Sequence, residues 1–223
     1  MCGRYSITVP TNQLAERFDA APPTEAPAPH YNASPTQALP VLLNEGERQI
    51  QLLRWGLIPH WSKDMSTAYK MINARSETLD EKPSYRDPFN KRRCLVLADG
   101  FYEWQKTGKG KIPMRFTLKS GEPFAFAGLW ENWKDPNDPD GNWLRTFTII
   151  TGQPNSLVAP VHDRMPMILL PENEKAWLDN EAGPTIWHDI LRPYPAELMR
   201  AYPVSTRLNV TTNDDPSLIA PAV

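Results

Sequence analysis

The chain has 223 residues, 40% of them apolar, which is enough for one large domain or two small ones around a sizeable core. With 24 basic and 26 acidic residues the net charge is −2, which excludes a global basic field; a nucleic-acid partner would have to be gripped by a local patch. Only two cysteines are present, no zinc spacing or signal core is visible, and no apolar run approaches the ~18 residues of a membrane span, so a reduced cytoplasmic setting without membrane contact is expected.

The chain opens "MCGRYS". Removal of Met1 ahead of a small residue leaves Cys2 with a free α-amine and a thiol on neighbouring carbons. At their ordinary values, near ~8 for the amine and ~8.5 for the thiol, both groups are partly deprotonated at neutral pH. An aldehyde meeting them forms a Schiff base, and the sulfur then closes a thiazolidine ring. The alternative is that Cys2 is simply a small buried hydrophobe.

Next comes "TNQLAERF", a short helix capped by Thr11 with Leu14 and Phe18 on one face. A proline-rich loop follows. "ALPVLL" and "RQIQLLRW" are paired strands around the turn "NEGE", and "WGLIPHWS" is a surface loop with Trp55 in the core. "INARSET" is strand-like and leads into a polar stretch, "YRDPFNKRR". Strands flank the hairpin "TGKGK". "PFAFAGLWE" and "WLRTFTIIT" are two more strands, and "VHDRMPMILL" is a loop and then a strand. "PENEKAWLD", "IWHDIL" and "PAELMRA" read as helices, and the end as strand and extended tail. The 24 prolines, roughly double the average usage, disfavour long helices. The economical reading is one α+β domain spanning 1–223. It has mainly antiparallel strands in a barrel-like core with short flanking helices.

Several polar residues stand in apolar surroundings. Glu103, in "DGFYEW", is either an exposed strand carboxylate or one aimed into a cleft with its pKa raised by apolar walls. His162, in "VHDRMP", is a surface residue or a proton carrier. Asn73 and Arg75 alternate in "INARSE" and so share a face, where an amide could orient a reacting group and a guanidinium could clamp phosphate. Arg4 adds a second guanidinium close to Cys2. Trp61 is a candidate stacking platform for a base. "NKRR" and "KTGKGK" read as solvated basic faces. Singly, these signals reach no further than a globular domain with an unusual N-terminal cysteine.

Taken in order, "MCGRYS", "YNASPTQ", "WGLIPHW", "MINARSET", "RCLVLADGFYEW" and "VHDRMPMIL" closely resemble the SOS-response-associated peptidase-like family, also called abasic site processing proteins. The likeness runs from about residue 2 to 210. It implies capture of abasic sites in single-stranded DNA, the N-terminal cysteine closing a thiazolidine on the ring-opened sugar to give a DNA–protein crosslink, with a weak lyase activity through the same Schiff base. It assigns Cys2 as nucleophile, Asn73 as positioner, Glu103 as acid/base and His162 as helper in proton transfer at the sugar. It assigns Arg4 and Arg75 to phosphates beside the lesion. It implies no metal or cofactor, and a monomeric bacterial-type domain at the nucleoid when acting. Two rivals stand beside it: an N-terminal-nucleophile cysteine peptidase that removes its own Met1, and a non-covalent single-strand binder.

Overall fold

The computed structural model describes residues 2–108, 110–138 and 140–222. In chain order the regular elements begin with β1 (Tyr5–Ile7), α1 (Thr11–Arg17), β2 (His30–Ala33), β3 (Ala38–Leu43), β4 (Gln51–Trp55), β5 (Asn73–Arg75) and α2 (Pro83–Lys91). They continue with β6 (Arg93–Ala98), β7 (Gly100–Thr107), β8 (Gly110–Leu118), β9 (Phe124–Trp133) and β10 (Leu144–Gly152). The last are β11 (Met165–Pro166), α3 (Pro171–Leu178), α4 (Pro184–Ile190) and β12 (Met199–Pro203).

Five strands close a barrel. β3 pairs antiparallel with β4 and β6, β6 with β9, and β9 with β10, and β10 returns to β4 in parallel. The run "RCLVLA" is buried along its whole length, as expected of a strand covered on both faces. Gly128 lies where β9 crosses β6. A Cβ there would come within 2.7 Å of Val96 Cγ2 and 2.8 Å of Cys94 Sγ, so only glycine lets these strands approach.

A second sheet, in the order β12-β8-β7-β1-β2, packs on the barrel. The two are joined at Asp99, the single residue between β6 and β7. Its carboxylate accepts from Ser6 Oγ at 2.6 Å, Thr8 Oγ1 at 2.6 Å and Arg115 Nη2 at 3.0 Å, so the corner holds β1 and β8 as well. Tyr5 then carries its ring from β1 towards the barrel core, 5.1 Å from Trp55 and 5.8 Å from Phe126. The N-terminal strand is thereby held between barrel and sheet. Among the described residues no helix is long and apolar enough to cross a membrane.

The α+β reading with a closed antiparallel-rich barrel holds, as do the strand pairs β3–β4, β7–β8 and β9–β10 and the buried Trp55. Lys109, in the turn of the "TGKGK" hairpin, lies outside the described residues. Four local readings are corrected. Pro10, not Thr11, precedes α1, and no side chain caps it. "YRDPFNKRR" forms most of α2, with Pro83 at its tolerated first turn and Pro88 inside. "PAELMRA" gives one 3₁₀ turn and then β12, because Met199–Pro203 pairs with Met114–Leu118 of β8. The tail after β12 turns twice into 3₁₀ helix instead of running extended.

"NKRR" is likewise not a solvated face throughout. Arg93 is fully buried, donating to the carbonyls of Phe89, Asn90, Trp177 and Asp179 and to Asn180 Oδ1. Its guanidinium lies 3.5 Å from the Trp187 ring centroid. One cation thus ties α2 to α3, α4 and the barrel.

Candidate active site

Cys2 leads into β1, which lies antiparallel to β7 with Tyr5 opposite Phe101. The Tyr102 amide donates to the Arg4 carbonyl at 3.1 Å, which continues that register one residue beyond the strand. One step further brings Cys2 beside the Glu103–Trp104 segment. Cys2 is 0% exposed, and its Sγ lies 3.7 Å from the Arg4 carbonyl oxygen.

From the barrel side comes Asn73 on β5, which pairs with β10 (Asn73 opposite Ile149). Its Nδ2 donates to the Cys2 carbonyl at 2.8 Å, while Tyr85 of α2 holds the Asn73 carbonyl at 3.1 Å. Asn73 Oδ1 is buried and makes no hydrogen bond among the described residues. A buried acceptor without a hydrogen bond among the described residues is thus left on the side chain that holds Cys2.

Glu103 comes from β7 and is 3% exposed. Burial pushes its carboxyl group up to about 7, so it holds and releases a proton around neutrality. His162 Nε2 lies 4.0 Å from Glu103 Oε2. In its neutral form the ring accepts from the Arg164 amide at Nδ1, 3.0 Å away, and the same nitrogen lies 3.0 Å from Asp163 Oδ1. Burial also pulls the His162 pKa below its ordinary value, which favours this neutral form.

The Cys2 thiol departs from the expectation of partial ionisation. Burial pushes it well above its ordinary value, and the Glu103 carboxylate raises it further. The resting sulfur is a neutral thiol that must give up its proton as it reacts. A cavity of about 690 Å³, lined by Glu103, Trp104, Lys106, Lys111 and residues 160–163, opens onto Glu103 and His162.

The structure therefore brings Cys2, Asn73, Glu103 and His162 together from four separate segments. Arg75 lies on β5 two residues from Asn73, with an exposed side chain. Arg4 is half-buried. Its Nη1 donates to Asn32 Oδ1 at 2.7 Å and to the Leu208 carbonyl at 3.0 Å, while its Nε and Nη2 make no hydrogen bond among the described residues. Trp61 is 59% exposed and is not brought to this groove: its neighbour His60 instead meets Glu131 at 3.2 Å, beside a different cavity of about 470 Å³.

Sequence reasoning missed a clamp. Arg164 grips Glu77 with two parallel hydrogen bonds of 2.6 and 2.9 Å and also donates to the Thr151 carbonyl of β10. Arg75 is the β5 residue paired with Thr151, so the His162 loop and the Asn73 strand are fixed to the same end of β10. The arginine holds the Glu77 carboxyl below its usual range. Both residues lie inside the motifs "VHDRMP" and "INARSET", but a partnership across 87 positions leaves no local pattern.

A buried cysteine at the second position thus stands beside a carboxyl group pushed up to about 7, an amide and an imidazole on an α+β barrel. The chain belongs to the SOS response associated peptidase (SRAP) family, whose model matches residues 1–211. It is similar to the abasic site processing protein YoqW of Bacillus subtilis, 48% identical over 98% of this chain and 99% of that one. It is also similar to the abasic site processing protein HMCES of Gallus gallus, 36% identical over 86% of this chain and 66% of that one. A crystal structure of a protein from Bacteroides thetaiotaomicron superposes with a TM-score of 0.91 at 28% identity, covering all of both chains.

Proposed function

We propose that the protein captures abasic sites in single-stranded DNA through Cys2, once Met1 has been removed. The observation that carries this reading is the meeting of Cys2 with a carboxyl group that titrates near neutrality, in a family whose relatives are named abasic site processing proteins. The chemistry follows from the groups present. The neutral α-amine adds to C1′ of the ring-opened sugar, forming a carbinolamine. Protonated Glu103 gives its proton to the carbinolamine hydroxyl, and water leaves to form the iminium. Sγ then adds to the same carbon while its proton passes to the Glu103 carboxylate, closing the thiazolidine. One water is released and Glu103 ends as it began.

Asn73 fixes the Cys2 carbonyl, so amine and thiol are presented together and the attack becomes effectively unimolecular. His162 assists proton transfer at the sugar oxygen as the ring opens. Arg75 and the outer nitrogens of Arg4 hold flanking phosphates, and Trp61 stacks on a more distant base. Loss of a C2′ proton from the iminium, ahead of sulfur closure, forms the C2′–C3′ double bond and expels the 3′ phosphate, which would nick the strand as a weak lyase.

The test is to mix tag-free protein with a single-stranded oligonucleotide carrying one abasic site, boil it in denaturant and weigh the product. The expected product is a heat-stable adduct that lacks Met1, with the mass of protein plus oligonucleotide minus water and the junction at Cys2. Binding without an adduct would support a non-covalent binder. Peptide cleavage with neither would support a peptidase. Extending the N-terminus with an uncleaved tag is expected to abolish the adduct, because no α-amine then remains at Cys2.

A further inference from the structure

We infer that Asn32 is a positioning residue for capture and that it draws the 208–214 segment into the machinery around Cys2; this rests on the capture reading above. Asn32 is fully buried on β2, next to β1. Its Oδ1 accepts from Arg4 Nη1 at 2.7 Å, two residues from Cys2. Its Nδ2 lies 2.9–3.2 Å from the carbonyl oxygens of Leu208, Val210 and Asn213. Its backbone amide donates to Asp214 Oδ1 at 3.0 Å. One amide side chain therefore holds the turn after β12 closed and presents an oxygen to Arg4. Arg4 also donates to the Leu208 carbonyl directly, at 3.0 Å.

The same turn reaches the other flank of Cys2. Asn209 Oδ1 accepts from Trp104 Nε1 at 2.7 Å, and Trp104 follows Glu103 on the strand beside Cys2. Residues 208 and 209 thus fasten both the strand that presents the nucleophile and the strand that presents the acid. The bonds of Asn32 and Arg4 are directional contacts in a buried or partly buried region, where losing one partner leaves the other unsatisfied, whereas the Trp104–Asn209 bond lies at the surface. A displacement of about 1 Å at Cys2 is enough to cost on the order of a hundredfold in an oriented reaction.

The experiment is a double-mutant cycle on the full, tag-free chain, read as the rate of adduct formation at saturating abasic oligonucleotide. Asn32→Ala is expected to lower that rate about tenfold or more. Arg4→Ala/Asn32→Ala is expected to be slower than Arg4→Ala by clearly less than the factor that Asn32→Ala costs alone, because Asn32 acts partly through Arg4 and partly through the turn that holds Trp104. Wild-type speed in Asn32→Ala, or effects that multiply in the double variant, would overturn the inference. If a thermal melt shows Asn32→Ala unfolded, Asn209→Ala decides, since Asn209 is exposed. A several-fold slower capture at an unchanged melting temperature supports the inference, and an unchanged rate overturns it. Failure of the wild-type chain to form any adduct would instead overturn the capture reading itself.

Discussion

At the scale of single residues, Cys2 and Glu103 carry the most specific expectations. Cys2→Ser keeps the amine but offers an oxygen in place of sulfur, and an oxazolidine reopens far more readily than a thiazolidine. The adduct should become heat-labile while DNA binding persists; a boiled gel reads this directly. Glu103 gives a pH prediction with a definite sign. Its carboxyl group titrates near 4.5 in the unfolded chain and about 7 in the folded one, so between those values the folded state binds more protons. Stability contributed by this proton is full below about 4.5 and is lost as pH rises through about 7. Glu103→Gln cannot ionise. Its melting temperature should therefore exceed that of the wild type at pH 8 and converge with it near pH 4.5, while capture slows sharply. Both residues stand in legible motifs. What could not be read is the state of the thiol, because the burial that keeps it protonated comes from strands far along the chain.

At the scale of elements, the site depends on two arginines that look like ordinary surface charge in the sequence. Glu77→Ala frees Arg164 and loosens the loop bearing His162 from the strand bearing Asn73. We expect capture at saturating DNA to slow about tenfold and the melting temperature to fall, because the Arg164 guanidinium left behind is largely buried. Arg93→Lys keeps the charge but replaces a fork of donors with a single ammonium and loses the stack on Trp187. Thermal unfolding should show a loss on the order of 3 kcal/mol. Strands with alternating or continuous apolar runs were readable, as were the helices at Pro171 and Pro184. α2 was hidden by Pro88, which normally ends a helix. β12 was hidden because "PAELMRA" has helical propensity and becomes a strand only by pairing with β8.

At the scale of the whole molecule, the slight negative charge bears on how the proposed DNA substrate would be held. With no basic field, affinity on this reading would come from a few guanidiniums. The plot of log affinity against log salt should therefore be shallow, about −0.7 for each phosphate neutralised and about −1.4 for Arg4 and Arg75 together. Arg75→Ala should remove about half of that slope, measured by titrating undamaged oligonucleotide at several salt concentrations. The barrel-like α+β class was legible from proline content and short strands. The grouping of the site was not, since Cys2, Asn73, Glu103 and His162 meet only when two sheets join at Asp99. From residues alone each remained a weak signal, and the ordered motifs of the family supplied the link.

The bond between Arg4 and Leu208 spans 204 positions. A ribosome makes a chain from its first residues onward, so Cys2 emerges long before the turn that fastens its strand. While synthesis is under way, the nucleophile exists without Asn209 at its flank or the 208 carbonyl beneath Arg4. Assembly of the groove must wait for residues that close one of the longest loops available to the fold, the slow kind of contact to form. On the capture reading, the nascent chain would offer only the unassisted aldehyde chemistry of any N-terminal cysteine, and the oriented reaction would await the completed groove.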